Sequence, residues 1–499
     1  MIKVLLINPP QTYYNESADF GTYFPLGLMY VAAMIREICH VEIFDCLTSD
    51  FETRKGNAIT YGANPEKIKK VINEKKPDVV GISVPFTAQY INAELVAKIT
   101  KEVNPKIVTV FGGPDPSVRF KTILENNYCD YCIIGEGEQT FYEFIKNFSF
   151  PASYENIKGL AYKRNGIIQY EPRPFNTNLD ELPFPAFDLV DVKLYLQNKY
   201  LYRNRSAISK NSISIITSRG CPYNCVFCSI KLHMGKKYRA HSPQYVMKLL
   251  RLCIDKYGIT NFHFEDDNLS FDKQRFETIL DCIIKENLKI QWDTPNGLRA
   301  DSLNYKILEK MKQSGCKQIN LAIESGNQRV LDNVIKKKTK LEYMINIVKY
   351  CNMLKIPALA FYVIGFPGET INEMKDTTNL ALKLYRDYGL YPALMMATPL
   401  YGTELYEICI RDNLIKGNPT VEELSTATQL KGNPMISTSE FSQKDIRQVI
   451  NEYTDNFSRE RSRSQLKHPT GYLISLRTSV RARELNKWLK DVLSSFLLI

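Results

Sequence analysis

Residues 212–228 read SISIITSRGCPYNCVFC: a strand-like alternation of Ser and Ile, a Thr-Ser-Arg-Gly turn, then Cys221-Pro-Tyr-Asn-Cys225-Val-Phe-Cys228. Thiolates are the soft ligands that iron–sulfur clusters require, and one compact loop can bring three of them to three corners of a cubane. The fourth iron then has no local ligand, and an open coordination position is where a metal centre performs chemistry. Structural zinc is the competing reading. It takes four ligands, usually from two CxxC-like pairs, and neither His233 nor His241 falls at a spacing that completes such a set.

On the carboxyl side of this loop, helical patterns alternate with strand-like FHFEDD at Phe262, KIQWDTPNGLR at Lys289, QINLAIESG at Gln318, ALAFYVIGFPGET at Ala358 and LYPALMMATPL at Leu390. With SISIITSRG these make six β/α units, which predict a partial (β/α)6 TIM-like barrel carrying its active groups on the loops after strands. On the amino side, residues 1–150 hold five further units, with strands VLLIN, VEIFD, DVVGISV, KIVTVFGG and YCIIGEGE. Such Val/Ile-rich segments between helical patterns predict an α/β domain with a doubly wound, Rossmann-like parallel sheet. Ligands of such sheets lie beyond the carboxyl ends of the strands. Here those ends read Asn8-Pro9-Pro10, Ser83 to Thr87, Gly112-Gly113 and Gly135-Glu136-Gly137-Glu138. Small residues there let backbone approach a large ligand, although each alone is also explained as a plain strand-to-helix turn. Residues 151–210, rich in Pro, Asn and Tyr, read as a linker, 211–415 as the barrel and 416–499 as a small helical region.

A chain of 499 residues calls for two or three domains. No basic and apolar leader opens it, and no apolar run approaches the roughly 20 residues of a spanning helix, so a soluble cytoplasmic protein is expected. The 12 cysteines are too dilute for a disulfide scaffold. The net charge of +11 is unevenly placed: from Arg459 onward nine Lys/Arg face three Asp/Glu, so about half of the excess belongs to the tail.

The CxxxCxxC spacing, the aromatic Phe227 before the last cysteine and the loop's place after the first barrel strand resemble the radical S-adenosylmethionine superfamily. The resemblance implies a [4Fe–4S] cluster on Cys221, Cys225 and Cys228. It also implies S-adenosylmethionine chelating the fourth iron and one-electron cleavage to a 5′-deoxyadenosyl radical, the hard step being supplied by the cofactors. Glu265-Asp266-Asp267 stands where the family binds the methionine amino group, Asp267 aligning best with its carboxylate. Arg299 and Glu324 resemble residues that contact the cofactor's carboxylate and ribose, and Ile364 to Glu369 matches a glycine-containing motif near the adenine. Phe227, Asp266, Asp267, Arg299, Glu324 and Gly365 are therefore the implied cofactor contacts. Plainer readings stay open: a helix N-cap for Asp267, an ion pair between Arg299 and Glu324, and a φ-demanding turn at Gly365.

The succession of a doubly wound domain, a linker and a radical barrel is similar to the cobalamin-binding branch of that superfamily. INPP at Ile7, PLGLMYVAA at Pro25, GISV at Gly81, FGG at Phe111 and GEGE at Gly135 carry this likeness, which covers all but the tail. It implies cobalamin at Asn8, Pro9, Ser83, Thr87, Gly112, Gly113, Gly135 and Glu136. The Asp-x-His-x-x-Gly loop that gives many such domains a histidine ligand is absent, NPPQTYY standing in its place, so the lower face of cobalt is expected to lack histidine. The implied reaction is methylation of an unactivated carbon of a small or lipid-like metabolite, with an external one-electron reductant of flavodoxin or ferredoxin type. Radical cyclisation, isomerisation or oxidation, a non-catalytic cobalamin sensor or carrier, and a degenerate domain that binds nothing stay open.

Cys129 and Cys132, at the entry to a strand-like run, read as buried structural thiols on opposite sides. Cys39, Cys46, Cys253, Cys282, Cys316, Cys351 and Cys409 read as core. No second cysteine trio precedes the motif, unlike the methylthiotransferase branch, and no nucleic-acid module or substrate is expected. Residues 475–499 pattern as an amphipathic helix, which would pack on the barrel or a partner or make peripheral contact with a membrane.

Overall fold

The computed structural model describes residues 1–14, 24–49, 52–197, 208, 211–427 and 432–464. The five amino-terminal strands are β1 (Lys3–Asn8), β2 (His40–Asp45), β3 (Val79–Ser83), β4 (Val108–Gly112) and β5 (Tyr131–Ile133). They run parallel in the spatial order β2-β1-β3-β4-β5, which places the topological switch between β1 and β3. Both faces are covered by helices, so the strands are largely apolar; Val4, Leu5, Leu6 and Ile7 of β1 are all buried.

This sheet continues past residue 150. Strand β6 (Leu160–Arg164) pairs antiparallel with β5, and β7 (Ile167–Tyr170) folds back on it. Segment 151–210 is therefore not linker throughout. The turn is Asn165-Gly166, both at positive φ (52° and 79°), as a tight hairpin demands. That Asn-Gly pair is the signal the linker reading passes over.

The second sheet holds β8 (Ser212–Ile215), β9 (Asn261–Phe264), β10 (Gln291–Leu298), β11 (Cys316–Glu324), β12 (Ala358–Ile364) and β13 (Tyr391–Met396), parallel and in sequential order. No pairing joins β8 to β13 among the described residues, so the barrel is open. Its helices are punctuated as physics requires: Ser242 caps Pro243–Tyr257 and Gly258 ends it at φ 65°. Thr370 and Glu373 make a reciprocal capping box on Ile371–Tyr388. The wall between strands and helices is apolar, with Phe262, Trp292, Ile319 and Leu321 almost fully buried. Beyond β13, helices span Val421–Ala427 and Gln443–Ser464; the second packs on Ile371–Tyr388 through Tyr385 and Phe457. The amphipathic pattern at 475–499 lies outside the described residues. Among those residues, no helix is long and apolar enough to cross a membrane.

Two glycines separate strain from crowding. Gly315 has φ 98°, and an added methyl would lie 2.2 Å from the Ile290 carbonyl oxygen; Gly417 has φ 65° with open space around it. Gly315→Ala should cost at least about 2 kcal/mol, and Gly417→Ala about 1 kcal/mol, from backbone strain alone. Urea unfolding of both variants measures the difference; equal costs would contradict it.

Candidate functional site

The cysteine loop is fixed by backbone from several segments. After β8, Ser218–Arg219 pairs antiparallel with Arg239–Ala240, closing the base of a loop that carries all three motif thiols. Gly220 has φ 79°, and any Cβ there would meet the Lys237 carbonyl at 2.5 Å, so the turn into Cys221 demands glycine. The Cys221 N–H donates to Gly235 (3.3 Å), the Val226 N–H donates to Ile335 (3.1 Å), and the Val226 carbonyl accepts from Leu405 (2.9 Å).

Cys221, Cys225 and Cys228 are partly exposed, whereas the remaining cysteines are buried apart from half-buried Cys282. Burial, together with the proximity of Cys225 and Cys221, pushes the Cys228 thiol up to about 12. Among the described residues no three Cys, His, Asp or Glu side chains gather as a single ion needs. A cubane takes its three thiolates at separate corners instead, and the donor set of three neighbouring, accessible sulfurs fits it. Cys129 and Cys132 are buried, but their sulfurs lie 3.6 Å apart rather than on opposite sides. Cys129 precedes β5, so strand alternation does not govern it.

The acidic motif divides its work. Asp266 is buried and accepts from the Thr217 N–H, the Thr217 hydroxyl (2.7 Å) and the Ser218 hydroxyl (2.5 Å), which ties β9 to the root of the cysteine loop. Asp267 accepts the Gly220 N–H at 2.8 Å, and burial raises its carboxyl to about 6. Asp267 is not the helix cap; Asp272 caps Lys273–Lys285. The neighbouring Asn268 amide donates to the Cys221 sulfur (3.6 Å).

Arg299 and Glu324 do not pair with each other. Arg299 is bidentate to Asp301 (3.0 and 2.6 Å), donates to the Lys337 carbonyl and lies 3.5 Å over the ring of Tyr223, inside the cysteine motif. Glu324 is held at φ 68°, beside an irregularity in the β11–β12 register, and pairs with buried Lys337 at 3.2 Å. A non-glycine residue in that conformation is kept only where its surroundings impose it. Lys337, Glu324 and Arg299 all act electrostatically on Cys225, so they share one locality with the loop. Sequence reading misses Lys337, although the run Lys336-Lys337-Lys338 would have flagged it had burial been known.

At the end of β12, the Glu369 carboxylate accepts the N–H groups of Gly365 (2.7 Å) and Phe366 (3.1 Å). Gly365 has φ 90°, and Phe366 lies 5.7 Å from Phe227, so the glycine motif and the cysteine loop adjoin.

At the edge of the first sheet several expected contacts have other partners. Asn8 donates to Asp45 (2.8 Å), which also accepts the Tyr195 hydroxyl; Pro9 is buried. The Thr87 hydroxyl donates to Asp115 (2.6 Å), which pairs with Arg119. Glu136 is held by Arg219 and Arg239. Ser83 and the glycines remain: a Cβ on Gly112 would touch only Ile133, at 3.9 Å, while Gly113 needs its φ of 118°. Phe86, three residues after Ser83 on the loop that leaves β3, stands 64% exposed. Small residues next to an uncovered aromatic leave room for a large flat ligand, which fits a corrinoid, and none of these loops offers it a histidine.

The two halves meet at this end of both sheets. Gly135 lies beside the carbonyl of His233, and Gly402 lies against Val118 and Leu232. A three-thiol loop at a partial-barrel mouth, facing the ligand edge of a doubly wound sheet, defines an iron–sulfur enzyme with a second cofactor domain. The Radical SAM superfamily model matches residues 215–381, and the B12 binding domain model matches residues 20–145. The chain is 35% identical over 417 residues to an uncharacterized methyltransferase of Pyrococcus horikoshii, covering 83% of this chain and 84% of that one. It is 31% identical over 448 residues to the cytidylyl-2-hydroxyethylphosphonate methyltransferase of Streptomyces wedmorensis, covering 83% and 82%. The fold matches that of the radical methyltransferase TsrM of Kitasatospora setae, solved with cobalamin and a [4Fe–4S] cluster, at a TM-score of 0.64 and 18% identity, over 84% of this chain and 80% of that one. The chain belongs to the cobalamin-dependent, methyltransferase-like family of radical S-adenosylmethionine enzymes. Its cofactors are a [4Fe–4S] cluster, S-adenosylmethionine and cobalamin.

Glu369 gives this site a pH signature. Burial raises its carboxyl from 4.5 to about 8, outweighing the two N–H donors. A carboxyl that binds its proton more tightly when folded contributes fully below about pH 4.5, and that contribution is lost as pH rises towards 8. Glu369→Gln keeps an acceptor for both N–H groups and cannot ionise. Its stability should fall less than wild type between pH 5 and 8 in thermal unfolding; parallel profiles would contradict the assignment.

Proposed function

We propose that this enzyme transfers a methyl group to an unactivated carbon of a small or lipid-like metabolite, with Cys221, Cys225 and Cys228 as cluster ligands. The observation that carries the reading is the three accessible thiols beside Arg299, Glu324 and Lys337, at the end where the first sheet also presents Ser83, Gly112 and Gly113. When bound, the cluster and S-adenosylmethionine supply a 5′-deoxyadenosyl radical and cobalamin supplies the methyl group.

The chain's own residues bind and orient. The Asp267 carboxylate, at the root of the loop, suits an ammonium. Arg299, stacked on Tyr223, suits a carboxylate, and Glu324 suits ribose hydroxyls. Gly365 offers backbone beside the adenine, and Phe227 with Phe366 gives an apolar wall that excludes water. Asp266 acts one step back, by holding Thr217 and Ser218. Asn8 and Thr87 support the corrinoid cradle through internal partners, while Ser83 and the glycines line it; Glu136 is instead engaged by Arg219 and Arg239. Cofactor duties divide between residues 1–150, with the 160–170 hairpin attached, and residues 211–415. A cytoplasmic setting with a flavodoxin- or ferredoxin-type donor suits a centre that needs single electrons.

Anaerobically reconstituted protein with S-adenosylmethionine, cobalamin, dithionite and candidate metabolites should form S-adenosylhomocysteine alongside 5′-deoxyadenosine. Deoxyadenosine alone would replace methyl transfer by ring closure, rearrangement or oxidation; neither product would leave a carrier or sensor.

A further inference from the structure

Arg219 and Arg239 stand directly opposite one another in the two-residue ladder that closes the base of the cysteine loop. Opposite residues in an antiparallel pair put their side chains on one face, and like charges there repel. Both guanidiniums are also buried, at 6% and 2% exposure. Buried cations persist only if carboxylates meet them with good geometry.

The carboxylates come from the other domain. Glu136 accepts from Arg219 (2.9 Å) and twice from Arg239 (2.7 Å each), and Glu138 accepts from Arg219 (2.7 Å). Both acids follow β5, at the ligand edge of the cobalamin-binding domain. Arg239 also donates to the Met234 carbonyl (2.7 Å), on the returning arm of the cysteine loop. At the other arm, Gly220 follows Arg219 and gives its N–H to Asp267. Among the described residues the direct ion-pair partners of these two charges thus come from the first domain, with Asp267 of the barrel acting on both at longer range.

We infer that Glu136, Arg219 and Arg239 form a clamp through which the cobalamin-binding domain holds the cysteine loop closed, so that cluster retention depends on the docking of that domain. These are positioning residues, touching neither cluster nor corrinoid. The inference rests on the cluster reading of the three cysteines.

The test follows iron loss to a chelator from reconstituted, cobalamin-loaded protein, with bound cobalamin measured by visible absorbance. Glu136→Gln leaves two buried arginines sharing Glu138 and should release iron at least about tenfold faster, as should Arg239→Gln. The charge-balanced double variant keeps the Glu138–Arg219 pair, and its release should return to within about threefold of wild type, a strongly non-additive result. Cobalamin content should be unchanged in all three. Insoluble Glu136→Gln with a soluble double variant would support the clamp equally. Normal iron retention in Glu136→Gln, additive effects, an insoluble double variant, or loss of cobalamin with iron retained would each overturn it. Wild type that takes up no iron would instead defeat the cluster reading itself.

Discussion

On the proposed cluster assignment, a loop of eight residues, Cys221 to Cys228, must present three sulfurs in fixed relative positions, yet it is too short to build a core that would hold them. Everything around it answers that constraint. Its root is pinned by Asp266 and Asp267, its entry by a glycine that no side chain could replace, and its middle by backbone from β11's following loop and from the segment after β13. Rigidity is needed because a cluster with one open corner is bound by three ligands instead of four, so each carries more of the burden.

The electrostatic setting follows the same logic. Three thiolates concentrate negative charge, and cations are brought to it: Arg299 stacked on Tyr223 and Lys337 paired to Glu324, both buried and both acting on Cys225. Burial on balance raises the Cys225 thiol, Lys337 and Arg299 pull it down against that burial, and they stand where they tune whatever the sulfurs carry. Acids sit one layer back, where burial keeps Asp267 near 6 and Glu265 near 8, Glu265 feeling Asp293 and Asp266 as well.

Much of this was legible in the sequence, because the signals are local. Strand periodicity marked five strands of one sheet and six of the other, and the cysteine spacing located the loop. The Asn165-Gly166 hairpin was equally legible and lay hidden under a Pro-rich composition. What could not be read were partnerships across distance. Asn8, Thr87 and Glu136 sit at the expected strand ends, but their side chains are engaged by Asp45, Asp115 and two arginines remote in sequence. Nor does spacing reveal that Arg299 and Glu324 each bring a separate counter-ion, or that Asp272 caps the helix in place of Asp267. Local chemistry writes itself into neighbouring residues, whereas ion pairing is decided only when domains meet.

The central claim is that three sulfurs hold a cubane and leave one iron open. Electron paramagnetic resonance of the dithionite-reduced protein, with and without S-adenosylmethionine, tests it most directly. A [4Fe–4S]+ signal whose g values shift on adding the sulfonium compound, and which is absent when the three cysteines become alanine, is the predicted result. A signal indifferent to S-adenosylmethionine, or one that survives those substitutions, would contradict the account.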